Sequence, residues 1–186
     1  KIDKDTDFFA YVDNFAKYKH VKSTQLYGKH RTTAPKVSIV IPTYRRPELL
    51  KEAVESAINQ DGYDDYEIVI VDNDATGEFT AHIIAMLNLF NDIKIIYYRN
   101  QENIGMFGNW NRCIELATGE WVTILNDDDI LFKYYLASMT INCDDVDRVE
   151  CKCLEFSNAN DVIQEPPFVI KKYKATDYFV YILNNY

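Results

Sequence analysis

Four short runs rich in β-branched and aromatic residues, each but the last followed by a longer stretch with helical spacing, constrain this chain more than any other feature. "KVSIVI" (36–41), "YEIVIVD" (66–72), "IKIIYY" (93–98) and "EWVTIL" (120–125) read as buried strands. Between the first two, "PELLKEAVESAIN" puts Leu49, Leu50, Ala53, Val54, Ala57 and Ile58 on one helical face. Pro42 is expected to stop the strand before it, and Pro47 suits the first helical turn. Residues 78–90 read as a second helix through Ile83, Ile84, Leu87 and Phe90, and residues 105–117 as a third, with Gly119 as the stop. Strand and helix alternate with short loops, which predicts an α/β fold: a mostly parallel central sheet with helices on both faces.

The flanks are less regular. Phe8, Tyr11, Val12, Phe15 and Tyr18 predict an amphipathic helix over 5–19, and the basic stretch 19–36 reads as a linker. The organisation expected is an N-terminal helix and linker over 1–35 and one α/β domain over 36–186. Beyond residue 130 the pattern predicts a helix at 131–140, a strand at 148–156, a polar turn at 157–162, a strand at 168–170 and a helix at 176–184. With 47% hydrophobic and 26% charged residues, the chain can build a core and is too apolar to stay disordered. A net charge of −9 argues against nucleic acid or an anionic membrane surface as a general partner. No apolar run approaches the roughly 20 residues of a membrane span, and no secretory signal opens the chain. Cys113, Cys143, Cys151 and Cys153 lack zinc-ligand spacing and are expected to be buried free thiols in a reducing, cytoplasmic setting. Trp110 and Trp121 are expected in the core, and His20, His30 and His82 suggest no role.

In open α/β sheets, ligands bind beyond the carboxyl ends of the strands. Three polar segments fall there: "PTYRR" (42–46), "DNDATG" (72–77) and "NDDD" (126–129). Adjacent carboxylates at such an edge are costly unless a cation neutralises them. A hard divalent ion, Mg²⁺ or Mn²⁺, takes one or two protein carboxylates and completes its shell with phosphate oxygens and water. The alternative is a solvated loop in which Asp129 caps the next helix. A calcium loop is disfavoured because Ile83 stands where its twelfth ligand belongs. An aspartyl phosphatase is disfavoured because Pro42, Thr43 and Tyr44 follow the first strand. No Walker-type or G-x-G-x-x-G loop is present.

"VSIVIPTYRRPELLKEAVESAINQ", "YEIVIVDNDATG" and "NIGMFGNWNRCIELATGEWVTILNDDDIL" together resemble the family 2 glycosyltransferases of the GT-A fold, over roughly residues 36–132. The resemblance implies a nucleotide-sugar donor, usually a UDP-sugar, a divalent metal, and transfer to an acceptor hydroxyl with inversion. Carried over by position, Pro42, Thr43 and Tyr44 would line the base and ribose pocket, and Asp72 or Asn73 would bond the uracil edge or ribose. The D-x-D motif falls on Asn126, Asp127 and Asp128, with Asp128 as metal ligand and Asp127 at the metal, its surround or the ribose. Arg45, Arg99 and Arg112 are candidate phosphate-side cations. The acceptor implied is a saccharide or lipid-linked saccharide of a bacterial surface polysaccharide, reached from the cytoplasm, with a peripheral place on the inner membrane face left open.

Two departures stand out: Asn126 replaces the first acid of D-x-D, and Asn73 replaces the second acid after the second strand. An inverting displacement also needs a carboxylate base. Asp144, Asp145, Asp147, Glu155 and Asp161 sit in no base motif, so the base is expected beyond Tyr186, in a longer enzyme of which this chain is the donor-binding part. A non-catalytic nucleotide-sugar-binding module is the competing expectation. A nucleotidyltransferase would want a Gly-rich basic loop after the first strand, which "PTYRRPE" is not.

Overall fold

The computed structural model describes residues 15–151, 153 and 170–174. Seven strands and four α-helices occur among them. They are β1 (Ser23–Tyr27), β2 (Val37–Thr43), α1 (Pro47–Ile58), β3 (Tyr66–Asp72), α2 (Thr80–Phe90), β4 (Ile95–Asn100), α3 (Gly105–Leu116), β5 (Trp121–Ile124), α4 (Tyr135–Thr140), β6 (Arg148–Glu150) and β7 (Lys171–Tyr173). The first five strands form one sheet in the order β1-β4-β3-β2-β5. Pairing is parallel throughout except for β1 against β4. The α/β class expected from the alternation is the one observed.

The strand interiors alternate faces with a period of two. Ile39, Ile41, Ile68, Ile70, Ile95 and Tyr97 face one side, where Leu50, Val54 and Ala57 of α1 and Ile83 and Leu87 of α2 cover them. Val40, Val69, Val71, Ile96 and Tyr98 face the other, against Cys113 and Leu116 of α3. Helices thus bury both faces, and the strands read as continuous apolar runs for that reason. On the α3 side, buried Glu67 accepts hydrogen bonds from the Ser38 hydroxyl (2.6 Å), the Thr118 amide (2.8 Å) and the Thr118 hydroxyl (2.9 Å). The Gly119 amide donates to Ser38 Oγ at 2.8 Å, so the α3–β5 turn is pinned to β2 and β3.

Four expectations need correction. First, the basic stretch read as a linker contains β1, an edge strand on β4; its polar residues are exposed or half-buried, so no apolar run announced it. Second, Pro42 does not end β2, which runs to Thr43. The β5 ladder already stops at Val40, so at Pro42 only β3 lies alongside and the missing N–H breaks no pairing there. Third, the helix at 131–140 starts only at Tyr135, so Asp129 does not cap it. Fourth, all four cysteines are free but Cys113 alone is buried; Cys153 is exposed, and β6 ends at Glu150 before the C-x-C pair. Residues 16–18 form a short 3-10 turn at the end of the expected first helix. Residues 5–14 of that helix, the turn at 157–162, most of the strand at 168–170 and the helix at 176–184 lie outside the described residues.

Candidate functional site

At the carboxyl edge of the sheet the three polar segments converge on a cavity of about 750 Å³. Pro42, Thr43, Tyr44 and Arg46 line it from the end of β2, Asn73 from β3, and Asn126, Asp127 and Asp128 from the loop after β5. Asn103, Gly105, Met106, Asn109 and Trp110 close it from the start of α3. Parallel strands end in register here, which is why residues so far apart in sequence meet: Thr43 pairs with Asp72 and Asp72 with Arg99.

Asp127 is fully buried. Its Oδ2 accepts from the Thr43 hydroxyl at 2.7 Å and from Arg46 Nε at 3.2 Å, and its Oδ1 accepts from Arg46 Nη2. Burial pushes the Asp127 carboxyl above its ordinary value, against the Thr43 hydroxyl and the Arg46 guanidinium, which favour the charged form. Asp128 is 49% exposed, and its Oδ2 accepts from Arg46 Nη1 at 2.9 Å. One guanidinium therefore faces both carboxylates. Asn126 turns away from them: its amide donates to Asp129 Oδ2 at 2.9 Å and its carbonyl accepts the Asp129 amide, closing a local turn.

Asn73 is buried and bonded at both ends of its amide. Nδ2 donates to Asn103 Oδ1 (2.9 Å) and to the Gly105 carbonyl (3.2 Å). Oδ1 accepts from Asn100 Nδ2 (3.1 Å) and the Ile104 amide (3.0 Å). Asn100 also donates to Asn109 Oδ1, and Asn109 donates to the Val71 carbonyl. This chain of neutral amides fixes the 101–105 loop and hence the α3 wall. A carboxylate at 73 could not supply the two donated bonds, which gives the departure from a second acid a structural reason.

Asp72 does not line the cavity. It is buried, accepting the Asp74 amide at 2.8 Å and the Tyr97 hydroxyl at 2.9 Å, and burial raises its pKa despite both bonds. Arg45 adopts a left-handed φ of 56° and turns to the loop after β3, 3.3 Å from Asp74 Oδ1 and 3.2 Å from Glu78 Oε2. Burial opposes charge on Asp74, but the Thr76 hydroxyl and amide and Arg45 together hold its carboxyl below the ordinary value. Arg99 donates to the Thr80 hydroxyl at 3.0 Å, and Arg112 reaches Glu115, Ser23 and the Tyr18 carbonyl. Neither is on the cavity wall. The arginine that is there, Arg46, was not among the sequence candidates. Trp110, expected in the core, instead stands half-buried on the wall, edge-on to exposed Phe107 at 5.8 Å. Trp121 packs against the main core as expected.

Among the described residues, no three His, Cys, Asp or Glu side chains gather into a cage for a metal. Asp128, half-exposed on the cavity wall beside fully engaged Asp127, suits a hard cation that draws its other oxygens from a ligand and water. No helix among the described residues is long and apolar enough to cross a membrane.

The chain is 33% identical over 158 residues to abequosyltransferase RfbV of Salmonella typhimurium, covering 80% of this chain and 44% of that protein. It is 37% identical over 106 residues to the GalNAc(5)-diNAcBac-PP-undecaprenol beta-1,3-glucosyltransferase of Campylobacter jejuni, covering 56% of this chain and 33% of the relative. The chain thus spans less than half the length of these relatives. Among solved structures it resembles S. aureus TarS in complex with UDP, with a TM-score of 0.52 and 26% identity over 59% of this chain and 32% of the other. A mannosyltransferase from Pyrobaculum calidifontis, solved with GDP-Man and Mn²⁺, shares the fold with a TM-score of 0.54 at 24% identity, over 63% of this chain and 35% of that one. Residues 38–150, more than half the chain, match the sequence pattern of Glycosyl transferase family 2, and the chain belongs to that family.

Proposed function

We propose that this chain forms the donor-binding part of a metal-dependent, inverting glycosyltransferase that takes a nucleotide-sugar, a UDP-sugar in the first instance, and transfers the sugar to an acceptor hydroxyl. The observation that carries this reading is the cavity in which Pro42, Thr43, Tyr44 and Arg46 from the end of β2 meet Asp127 and Asp128 from the loop after β5, with the Thr43 hydroxyl and the Arg46 guanidinium bonded to Asp127. At about 750 Å³ it is large enough for a nucleoside diphosphate, and its lining carries both signs of charge. TarS has also been solved with UDP-GlcNAc, at 26% identity, which supports the same donor class. The C. jejuni relative's name pairs a glucosyltransferase with GalNAc(5)-diNAcBac-PP-undecaprenol, which supports a lipid-linked saccharide acceptor, and an Escherichia coli relative named as a putative colanic acid biosynthesis glycosyl transferase, 36% identical over 97 residues, supports a task in bacterial polysaccharide synthesis.

In this reading Pro42, Thr43 and Tyr44 bound the base and ribose. Asn73 holds the α3 wall through the amide chain, and Asp127 orients Thr43 and Arg46. Asp72 acts from behind the wall on the 72–74 turn. Asp128, with Asp127 beside it, would hold a Mn²⁺ or Mg²⁺ ion; that ion supplies charge stabilisation for the departing diphosphate. Arg46 lies where it adds to that stabilisation. Arg45 and Arg99 act at a remove, through the loop after β3 and the start of α2. Asp144, Asp145 and Asp147 do not line the cavity, so none is offered as the acceptor-side base.

The test is calorimetric titration of UDP, then GDP, with and without Mn²⁺, on the full chain and on Asp128→Ala. Metal-dependent UDP binding that Asp128→Ala abolishes is expected. Absence of binding of either nucleotide to folded protein would overturn the reading.

A further inference from the structure

Arg46 makes three contacts on two carboxylates of very different exposure. Nε and Nη2 lie on Asp127, which is fully buried, and Nη1 lies 2.9 Å from Asp128, which is 49% exposed. The guanidinium is itself 46% exposed and lines the cavity. The buried half of this arrangement is locked, because releasing Asp127 would leave a charge without its partner away from water. The exposed half is free to exchange, because water or another ion can replace either partner of a half-exposed pair at little cost.

That asymmetry has a consequence for any ligand that brings a diphosphate and a divalent cation. A cation approaching Asp128 alone meets the positive guanidinium already there. A diphosphate approaching Arg46 alone meets two carboxylates. Arriving together, each relieves the other's repulsion: the cation takes Asp128, and Nη1 turns to a phosphate oxygen while Nε and Nη2 stay on Asp127. Resting on the nucleotide-sugar reading, we infer that Arg46 serves as the site's resident counter-ion and couples cation binding to nucleoside diphosphate binding. By linkage, the factor by which the nucleotide tightens the cation equals the factor by which the cation tightens the nucleotide. The guanidinium fork suits this role because it gives each carboxylate its own N–H donors, whereas a lysine ammonium is one compact point charge.

The experiment is a Mn²⁺ titration of the full chain, reading free Mn²⁺ by electron paramagnetic resonance, without nucleotide and with saturating UDP or GDP. It compares wild type, Arg46→Lys and Arg46→Gln, with folding checked by circular dichroism. Wild type should bind Mn²⁺ weakly alone, and nucleotide should tighten it by a factor of about 5–150. Arg46→Gln should bind Mn²⁺ alone about tenfold more tightly than wild type, with the coupling factor falling toward one. Arg46→Lys should fall between them, and decides alone if Arg46→Gln does not fold. Folded variants with wild-type Mn²⁺ affinity and an undiminished coupling factor would overturn the inference while leaving the donor reading standing. Failure of both nucleotides to bind Mn²⁺-saturated wild type would overturn both.

Discussion

Asn73→Asp restores the acid expected at this position and should nevertheless damage the protein. The wild-type amide donates two hydrogen bonds, to Asn103 Oδ1 at 2.9 Å and to the Gly105 carbonyl at 3.2 Å, while Oδ1 accepts two more. An ionised carboxylate keeps the accepted pair and turns the donated pair into oxygen facing oxygen. Two bonds at about 0.5–1.5 kcal/mol each set the loss at about 1–3 kcal/mol. Asn103 is exposed and can turn its amide to answer the new carboxylate. Its Oδ1 also accepts the Gly105 amide at 2.9 Å, however, so turning forfeits that bond and relief is partial. The sign with pH follows. The new carboxyl is buried among acceptors, so its folded pKa is raised above its unfolded value. The native state then holds the proton more tightly, and stability falls as pH rises through the window between the two values. Urea unfolding at neutral pH should show the full deficit, and below about pH 4, where the protonated acid can donate one bond, it should shrink. A midpoint equal to wild type at neutral pH would refute the account of the amide chain.

Three further outcomes follow from other parts of the molecule. Gly119→Ala should destabilise by about 1–3 kcal/mol in urea melts, since a Cβ there would stand 2.6 Å from the Ser38 amide nitrogen and 2.8 Å from the Val37 carbonyl carbon, both backbone. Asp72→Asn should compare best with wild type at neutral pH and lose ground against it on acidification, read as the difference between the two urea midpoints across pH. The Asp72 pKa is raised from 3.8 by burial, so its ionisation counts against the fold as pH rises through the raised value. Iodoacetamide followed by peptide mapping should modify exposed Cys153 well before Cys113, whose thiol burial pushes far above its ordinary value.

The sheet was legible because parallel strands covered on both faces must be largely apolar, and β2, β3 and β4 are, with Ser38 and Glu67 bonded to each other among them. β1 was hidden by the opposite circumstance: an edge strand with exposed Thr24 and Gln25 has no periodicity to detect, and its pairing with β4 spans some seventy residues. The loops of the site were legible through their place after strands. The partners of each side chain were not. Asn73, Asn100, Asn103 and Asn109 look like unrelated polar residues until the fold brings them together. Arg45 and Arg46 are neighbours in sequence, and only the left-handed backbone at Arg45 decides which one reaches the aspartates.

That backbone twist makes the β2–α1 connection a sorting device. Two identical side chains leave it in divergent directions, one to the loop after β3 and one to the loop after β5. Their assignment depends on counting residues from Thr43 to Pro47, since the chemistry of the two is the same. A change in the length of this turn should therefore disturb the site even with every side chain of the turn retained. Removing one residue after Thr43 would hand the Asp127 partner to Asp74 and leave the most buried carboxylate of the edge without a cation.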